Sequence, residues 1–296
     1  MPETPQTPTK PAIHPTAVVD PEASIADDVA IGPFCVVQGP VTLEAGVRLL
    51  SHVNIQGPAV IGARTTVFPF AAIGHVPQDF KFKAGDVTAG VRIGPDSLIR
   101  ENVSVHASSN DHTPTTLGER VMLMASSHVA HDCQLGDNVI LVNYAGLSGH
   151  TVIGNNATLS GHCGTHQHVR IGRLAFFSAG THVSMDVPPF CVVNERNRLG
   201  SVNLVGMRRS GMPRTEITAV RETFRAVFRH PTPREDMLGY LAERAEEVPA
   251  LAELHEFVSH SKRGIVPGIG KVPRLMAAAL QRLRRTGEID FDDDED

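Results

Sequence analysis

The stretch LGERVMLMASSHVAHDCQLGDNVILVNYAGLSGHTVI at residues 117–153 places a large aliphatic residue at every sixth position: Leu117, Leu123, Val129, Leu135, Leu141, Leu147 and Ile153. The same spacing holds over residues 13–73, 93–105 and 117–183, with two non-aliphatic exceptions in the last run, Thr165 and Phe177. A small or β-branched residue follows four positions later, as at Cys133, Val139 and Ala145. Neither the 3.6-residue period of a helix nor the 2-residue period of a strand produces this pattern.

A period of six is typical of the hexapeptide-repeat parallel β-helix, in which each hexad forms one short strand and one turn. Three hexads close a triangular coil of 18 residues, whose large side chains fill the prism while the small ones fit near the corners. Each coil buries its apolar side chains only by stacking on its neighbours. Because strands of consecutive coils lie about 4.8 Å apart, residues n and n + 18 stack along one edge. The repeat by itself does not fix the hand of the coil.

Two interruptions of the repeat indicate loops, because a coil lengthens only by extruding one. Such long excursions from a rigid scaffold are typical of functional segments, and here they cover residues 75–91 and 107–116. Beyond the repeat, helical spacing punctuated by prolines appears at 215–229, 233–246, 250–262 and 272–285. The sequence therefore predicts an all-β solenoid domain followed by helices, with the divisions disordered leader 1–11, solenoid 12–212, helical domain 213–290 and acidic tail 291–296.

The composition excludes several classes of protein. A net charge of −5 over 296 residues argues against general nucleic-acid binding. No run of 18 apolar residues is present, so we expect no membrane span, and the polar, proline-rich first residues are unlike a signal peptide. The four cysteines form no CxxC pair, and three of them fall at the small position of a hexad. We therefore expect buried, reduced thiols and a cytoplasmic location.

Histidine is the unusual residue, with fifteen in the chain, and eight cluster in the second half of the predicted prism: His106, His128, His131, His150, His162, His166, His168 and His182. None occupies the large inward position. Stacking by 18 places His131, then Gly149 with His150, then His166 with Gln167, on successive rungs of one edge. Such a column suits a metal held by neutral imidazoles, or a general base whose tautomer is fixed by a carboxylate such as the adjacent Asp132. Surface histidines bonded to turn carbonyls are the third interpretation, and the pattern leaves all three open.

The motif His128-Val-Ala-His131-Asp132-Cys133, with Leu147-Ser-Gly-His150 and Gly164-Thr-His166-Gln167, closely resembles the UDP-N-acetylglucosamine O-acyltransferase family of lipid A biosynthesis. Further matches include Pro77-Gln78-Asp79-Phe80-Lys81, Val105-His106, Asp186-Val-Pro-Pro189, Val202-Asn203-Leu204 and Ser261-Lys-Arg-Gly264. The resemblance covers about residues 12–265. It implies a left-handed β-helix with a small α-helical C-terminal domain, assembled as a homotrimer.

The resemblance also implies an activity: transfer of an (R)-3-hydroxyacyl group from acyl carrier protein to the glucosamine 3-hydroxyl of UDP-N-acetylglucosamine, in clefts between subunits. The donor is carried on the phosphopantetheine of the carrier, so no further cofactor and no metal are implied. His131 is the implied general base, Asp132 supports it, and the Gly149 N–H receives the thioester oxyanion. The implied substrate-binding residues are Gln78, Asp79, Lys81, His106, His128, His150, His166 and Gln167, with Asn203 and Arg209 holding the nucleotide end.

Two further roles follow from the same resemblance. Ala179 corresponds to the residue that limits acyl-chain length, a ruler that is small for long chains and bulky for short ones. The acidic carrier protein is expected to meet basic side chains near the top of the prism and on the first C-terminal helix: Arg208, Arg214, Arg221, Arg225 and Arg229. For these arginines a solvated helix face is the alternative interpretation.

The chain departs from the family pattern in four places. The segment Val193-Asn-Glu-Arg-Asn-Arg-Leu-Gly200 is one residue shorter, Ser210 replaces the second arginine of a pair, His168 replaces an aromatic residue, and residues 266–296 extend past the family's usual end. These departures keep another function open, a hexapeptide acyltransferase acting on an amino-sugar nucleotide. From other classes, the alternatives are a zinc enzyme resembling γ-type carbonic anhydrase and a purely structural solenoid.

Overall fold

A computed structural model describes residues 11–83 and 85–268, which form a parallel β-solenoid followed by a helical segment. Successive strands fall on three sheets in turn, so each strand pairs in parallel with the strand one coil away. The register confirms the 18-residue coil, because Leu123 pairs with Leu141 and Val129 with Leu147. The parallel β-helix predicted from the repeat is therefore confirmed.

The strands are short because most residues of each hexad form a corner. Sheet 1 contains β1 Ala12–Ile13, β4 Ala30–Ile31, β7 Arg48–Leu49, β10 Thr66–Val67, β13 Leu98–Ile99, β16 Met122–Leu123, β19 Ile140–Leu141, β22 Thr158–Leu159, β25 Phe176–Phe177, β27 Cys191–Asn194 and β28 Arg198–Val202. Sheet 2 contains β2 Val18–Val19, β5 Val36–Gln38, β8 Asn54–Gln56, β11 Ala72–His75, β14 Ser104–His106, β17 His128–Val129, β20 Gly146–Leu147, β23 Gly164–Thr165 and β26 His182–Val183. Sheet 3 contains β3 Ser24–Ile25, β6 Val41–Leu43, β9 Ala59–Ile61, β12 Val91–Ile93, β15 Thr115–Leu117, β18 Gln134–Leu135, β21 Val152–Ile153 and β24 Arg170–Ile171.

The sharp corners place residues in the left-handed region of backbone space. At the corner between sheets 2 and 3, Asp132, His150 and His168 have φ of 61°, 59° and 62°. Aspartate, asparagine and histidine adopt this conformation more readily than other side chains that carry a Cβ atom. Part of the histidine richness of this chain therefore follows from backbone geometry at the corners.

The inward residues of the hexads form one continuous core, in which Leu123, Val129, Leu141 and Phe177 are completely buried. Ile13 is 43% exposed because its strand, β1, pairs on one side only. All four cysteines are buried and free, as predicted. The solenoid thus provides a rigid scaffold whose corners and outer faces carry the polar residues.

The two predicted loops leave the solenoid between β11 and β12 and between β14 and β15. They are joined to each other, since Ala89 N donates to Asn110 O at 2.6 Å and Thr88 Oγ1 donates to Ser108 O at 2.6 Å. The two insertions are therefore one connected unit on the corner that carries His131.

Beyond the solenoid lie α1 Leu204–Arg209, α2 Arg214–Thr223 with a π-helical continuation Phe224–Phe228, α3 Arg234–Ala245 and α4 Pro249–Ser259. The last three confirm the predicted helices at 215–229, 233–246 and 250–262. The antiparallel β27–β28 hairpin and α1 were not predicted, so the strands end at Val202 rather than continuing toward 212. The predicted helix 272–285, the acidic tail and nearly all of the leader 1–11 lie outside the described residues. No described helix is long and apolar enough to cross a membrane.

The helical segment is fixed to the last coils by polar contacts. Arg173 pairs with Glu253 of α4 at 2.8 Å, and the Arg170 guanidinium lies 4.4 Å from the centre of the Phe257 ring. After α4 the chain returns to the solenoid, where Ser261 Oγ donates to Asp186 Oδ2 at 2.8 Å. This return places residues 260–268 beside the upper end of the histidine column.

Candidate active site

His131 and Asp132 follow β17 at the corner between sheets 2 and 3. His131 Nδ1 lies 2.7 Å from Asp132 Oδ2, and the two side chains are only 12% and 6% exposed. Burial raises the pKa of Asp132, but hydrogen bonds from Ser109 and His131 outweigh it and hold the pKa below its usual range. Because an ionised carboxylate only accepts hydrogen bonds, Nδ1 of His131 carries the proton and Nε2 keeps its lone pair. His131 is thus set up to accept a proton at Nε2.

Gly149 lies one coil above His131, and its lack of a side chain is required there. A Cβ atom at Gly149 would lie 2.6 Å from His131 Cε1 and 2.8 Å from His131 Nε2. Among the hydrogen bonds of the described residues, none uses the Gly149 N–H. A free backbone donor therefore lies next to the basic edge of the His131 ring.

The predicted column of stacked corners is confirmed. His150 N donates to His131 O at 3.1 Å, and His168 N donates to Gly149 O at 3.0 Å. The rings also meet, since His131 and His150 are perpendicular with centroids 5.3 Å apart, and His150 stacks on His168 at 4.4 Å. Burial lowers the pKa of His150. His168 therefore covers one face of the His150 ring.

His128 lies on sheet 2 on the same coil as His131, and His106 lies one coil below. Ser104 Oγ lies 2.8 Å from His128 Nδ1, and the His106 and His128 rings meet edge to face at 5.0 Å. His106 is 93% buried by area, and its Nδ1 has no hydrogen-bond partner among the described residues. Burial, with smaller contributions from His128 and His75, lowers the pKa of His106 to about 4. Burial also lowers the pKa of His128, so both rings are neutral at pH 7.

The loop between β11 and β12 carries the predicted substrate residues Gln78, Asp79 and Lys81. Gln78 and Lys81 are exposed, whereas Asp79 is half-buried and close enough for its charge to act on His150. Asp79 Oδ1 accepts a hydrogen bond from Lys81 N at 2.9 Å, which fixes the turn. The structure thus brings Asp79 to the histidine column and leaves Gln78 and Lys81 on the outer surface of the loop.

His166 and Gln167 form the next rung of the column and are exposed. Arg263, from the segment after α4, lies with its Nη2 3.2 Å from His166 Nδ1 and donates from Nε to Ser184 O at 2.8 Å. A depression of about 380 Å³ beside them is lined by Ser148, Gly164, Thr165, His166, His182, Val183, Ser184 and Arg196. Arg263 was not among the site residues predicted from the sequence. The one feature that pointed to it was the matched motif Ser261–Gly264.

The predicted nucleotide residues Asn203 and Arg209 lie at the outer face of sheet 1, away from the corner that carries His131. They line a groove of about 680 Å³ between α1 and the outer face of that sheet. The Asn203 amide is already engaged, because Oδ1 accepts from Gly206 N and Nδ2 donates to Leu174 O, both at 2.8 Å. Asn203 therefore caps α1 and holds the helix that carries Arg209, which is exposed.

The arginines predicted to dock the carrier protein fall into two groups. Arg221, Arg225 and Arg229 line one cavity of about 240 Å³ together with residues of β28. Arg208 and Arg214 are exposed on α1 and at the start of α2. The first group thus brings three positive charges to one cavity.

Ala179, the predicted ruler, is exposed at the corner between sheets 1 and 2, whereas His131 lies at the corner between sheets 2 and 3. Within one chain these two residues do not share a site. A ruler at Ala179 therefore requires that a second copy of the chain bring its own corner against this one.

The same residues were considered above as metal ligands. His131, Asp132 and His150 offer ligand atoms that lie within 4.8 Å of one another. Two ligands of one tetrahedral zinc ion are about 3.3 Å apart when each bond is about 2.0–2.1 Å. The 2.7 Å between His131 Nδ1 and Asp132 Oδ2 is instead a hydrogen-bond distance. His131 Nδ1 and Asp132 Oδ2 therefore do not both bind one zinc ion in this structure.

The hexad solenoid places the chain among hexapeptide-repeat proteins, and the family matches indicate a transferase. Residues 114–149 match the bacterial transferase hexapeptide family (six repeats). Residues 186–266 match the family described as UDP N-acetylglucosamine O-acyltransferase, domain 2.

Whole-chain relatives narrow this class. The acyl-[acyl-carrier-protein]–UDP-N-acetylglucosamine O-acyltransferase of Thermodesulfovibrio yellowstonii is 37% identical, over 86% of this chain and 98% of its own. The enzyme of the same name from Azorhizobium caulinodans is 43% identical, over 86% of this chain and 97% of its own. The crystal structure of the Francisella novicida UDP-N-acetylglucosamine acyltransferase has a TM-score of 0.85 at 34% identity, covering 90% of this chain and 98% of that one. The chain belongs to the UDP-N-acetylglucosamine O-acyltransferase family.

The burial of neutral His106 predicts a pH-dependent stability. Its pKa is about 4 in the folded chain and about 6.5 in the unfolded chain. Between these values the unfolded chain binds more protons, so the free energy of unfolding falls as the pH drops from about 6.5 to 4, by up to about 3 kcal/mol for this group. Urea unfolding of wild type and His106→Gln at matched protein concentration measures the difference. Equal pH dependence in both proteins contradicts the assignment.

Proposed function

We propose that the protein transfers an (R)-3-hydroxyacyl group from acyl carrier protein to the glucosamine 3-hydroxyl of UDP-N-acetylglucosamine, the first step of lipid A biosynthesis. The observation that carries the proposal is the His131–Asp132 pair at 2.7 Å with the unoccupied Gly149 N–H beside it. The family to which the chain belongs supports the choice of donor and acceptor.

The chemistry needs a base, an oxyanion donor and a proton return. His131 Nε2 accepts the proton of the sugar 3-hydroxyl as its oxygen attacks the thioester carbonyl carbon. The carbonyl oxygen becomes an oxyanion that accepts a hydrogen bond from Gly149 N–H. The tetrahedral intermediate collapses, the C–S bond breaks, and the imidazolium returns its proton to the leaving thiolate of the carrier's phosphopantetheine. Asp132 stabilises the imidazolium and stays ionised throughout.

The site is completed by neighbouring copies in this proposal. We propose a left-handed coil and a homotrimer in the cytoplasm, with the acceptor and acyl groove between subunits. The corner between sheets 1 and 2 supports the association of copies, because it exposes a run of aromatic rings: Phe34 and Phe70 are 56% and 59% exposed, and both ring centroids lie 5.0 Å from that of His52. Tyr144, 58% exposed, stacks on His162 at 4.9 Å farther up the same corner. Exposed aromatic rows of this kind are typical of surfaces that a partner covers.

Substrate contacts in the proposal follow the predicted residues. Neutral His128 and His150 present ring nitrogens to sugar hydroxyls and to the acyl carbonyl, and buried His106 supports His128 through the ring contact at 5.0 Å. Asp79, His166 and Gln167 border the same column, and Gln78 and Lys81 meet the substrate from the outer surface of the loop. Arg209 holds the nucleotide through its charge, whereas Asn203 acts indirectly by capping α1.

A direct assay tests donor and acceptor together. Purified protein is incubated with UDP-N-acetylglucosamine and a panel of acyl carrier proteins charged with 3-hydroxyacyl chains, and the products are identified by mass spectrometry. The proposal expects one acyl group added in ester linkage. Transfer only to a 3-amino analogue supports the amino-sugar alternative, and absence of transfer from every donor contradicts acyl transfer.

His131→Ala is expected to lower kcat by about 10²–10⁴-fold, because a positioned general base typically contributes that much. UDP-sugar affinity and oligomeric state should remain unchanged. His128→Ala is the matched control and should cost less, since its ring only orients substrate. A near-normal rate for His131→Ala contradicts the mechanism, and loss of tightly bound metal from both variants favours a zinc enzyme.

Charge reversal at Arg221 or Arg225 is expected to raise the apparent KM for acyl carrier protein more than the KM for the UDP-sugar. The reason is that an acidic carrier approaches a positive surface, whose attraction is screened by salt. Raising the salt concentration should mimic the substitutions in wild type and have less effect in the variants. If the donor KM responds to neither change, the carrier docks elsewhere.

Ala179 is expected to set the acyl-chain length. Each methylene excluded from an apolar groove forfeits about 0.8 kcal/mol, which is several-fold in kcat/KM per carbon. Ala179→Met should therefore shift the preference to shorter donors and Ala179→Gly to longer ones, measured as kcat/KM across a donor series. An unchanged preference in both variants places the ruler elsewhere.

A further inference from the structure

The insertion between β14 and β15 surrounds the Asp132 carboxylate with donors. Ser109 N donates to Asp132 Oδ1 at 3.0 Å, and Ser109 Oγ donates to Asp132 Oδ2 at 2.6 Å. Asn110 Nδ2 also donates to Oδ1, at 2.8 Å. Together with His131 Nδ1, these donors occupy the lone pairs of a carboxylate that water barely reaches, since its side chain is 6% exposed.

The insertion is itself fixed, so its donors are held in place. Asn110 Oδ1 accepts from His112 N at 3.1 Å and from Thr113 N at 2.7 Å, which closes the loop on itself. Asn110 O accepts from Ala89 N, which ties the loop to the neighbouring insertion. Ser109 Oγ makes no such structural bond, because Asp132 is its one hydrogen-bond partner among the described residues.

We propose that Ser109 and Asn110 are positioning residues for acyl transfer, which act through Asp132 on the tautomer and orientation of His131. The proposal rests on the proposed function and gives the second insertion a role in it. A buried carboxylate with its full set of donors stays ionised and cannot rotate, so it accepts from His131 Nδ1–H and leaves Nε2 free for the sugar hydroxyl. Loss of one donor frees the carboxylate to turn and loosens the ring.

Three variants and one control test the idea. Ser109→Ala removes the hydroxyl donor, and Ser109→Thr restores it. Asn110→Asp keeps the side-chain oxygen that accepts from His112 N and Thr113 N, but replaces the Nδ2 donor with a second oxygen. Ser109→Ala and Asn110→Asp should lower kcat about 10- to 100-fold, the usual effect of one hydrogen bond to a charged group, with KM for both substrates unchanged. Ser109→Thr should recover most of the rate. Asp111→Asn, on the same loop and exposed, should have wild-type kcat.

A double-mutant cycle separates positioning from general loop stability. In an Asp132→Asn background Ser109→Ala should have almost no further effect on kcat, because both changes remove the same support. Additive losses, or a loss expressed in KM and melting temperature rather than in kcat, overturn the proposal.

A readout that does not depend on turnover keeps this proposal distinct from the proposed function. ¹⁵N NMR of the His131 ring should report the Nδ1–H tautomer in wild type and a mixture with Nε2–H in Ser109→Ala. If the tautomer shifts while wild type transfers no acyl group, positioning stands and the proposed function fails. If wild type is active and both the tautomer and kcat of Ser109→Ala are those of wild type, the positioning role is wrong.

Discussion

The left-handed backbone at the corners is the constraint on which both the coil and the site depend. Three hexads close a triangle only if the chain turns sharply after each strand, and at most corners from Phe34 onward the turn places one residue at positive φ. Asp132, His150 and His168 all occupy that position, so residues that tolerate the turn are also residues of the candidate site. Because the same turn recurs in every coil, their side chains stack in a column.

The solenoid itself was predictable, because the residues that repeat every six positions are all buried in the same way, inside the prism. Leu123, Leu141 and Phe177 point into the prism, and their spacing alone fixes the coil length. The top of the solenoid was not predictable in the same way. β27, β28 and α1 depend on a hairpin and on the cap made by Asn203, which are single local events without a repeat. Asn203 accordingly holds α1 in the structure, whereas the resemblance implied a direct nucleotide contact.

The candidate site likewise contains residues whose positions the repeat predicts and residues whose positions it does not predict. The pairing of His131 with Asp132 and their stacking beneath Gly149 and His150 follow from sequence adjacency and from the 18-residue register. Ser109, Asn110 and Arg263 reach the site from an insertion and from the end of the chain. Their positions depend on tertiary contacts such as Ala89 with Asn110, which no periodicity encodes. The sequence therefore identifies the candidate base and the carboxylate beside it, but not the residues that hold them.

Burial explains how several histidines can surround the proposed general base without taking up protons themselves. Rings that meet at about 5 Å would repel one another if all were protonated, but burial lowers the pKa of His106, His128 and His150, so at pH 7 they are neutral. They can then orient substrate hydroxyls without competing for the proton. The carboxylate adjoining the column at its base is Asp132, and it faces His131 at 2.7 Å. His150 Nε2 lies farther from this carboxylate, at 3.6 Å. In the proposed mechanism the proton is therefore stabilised best on His131, beside the thiolate that receives it.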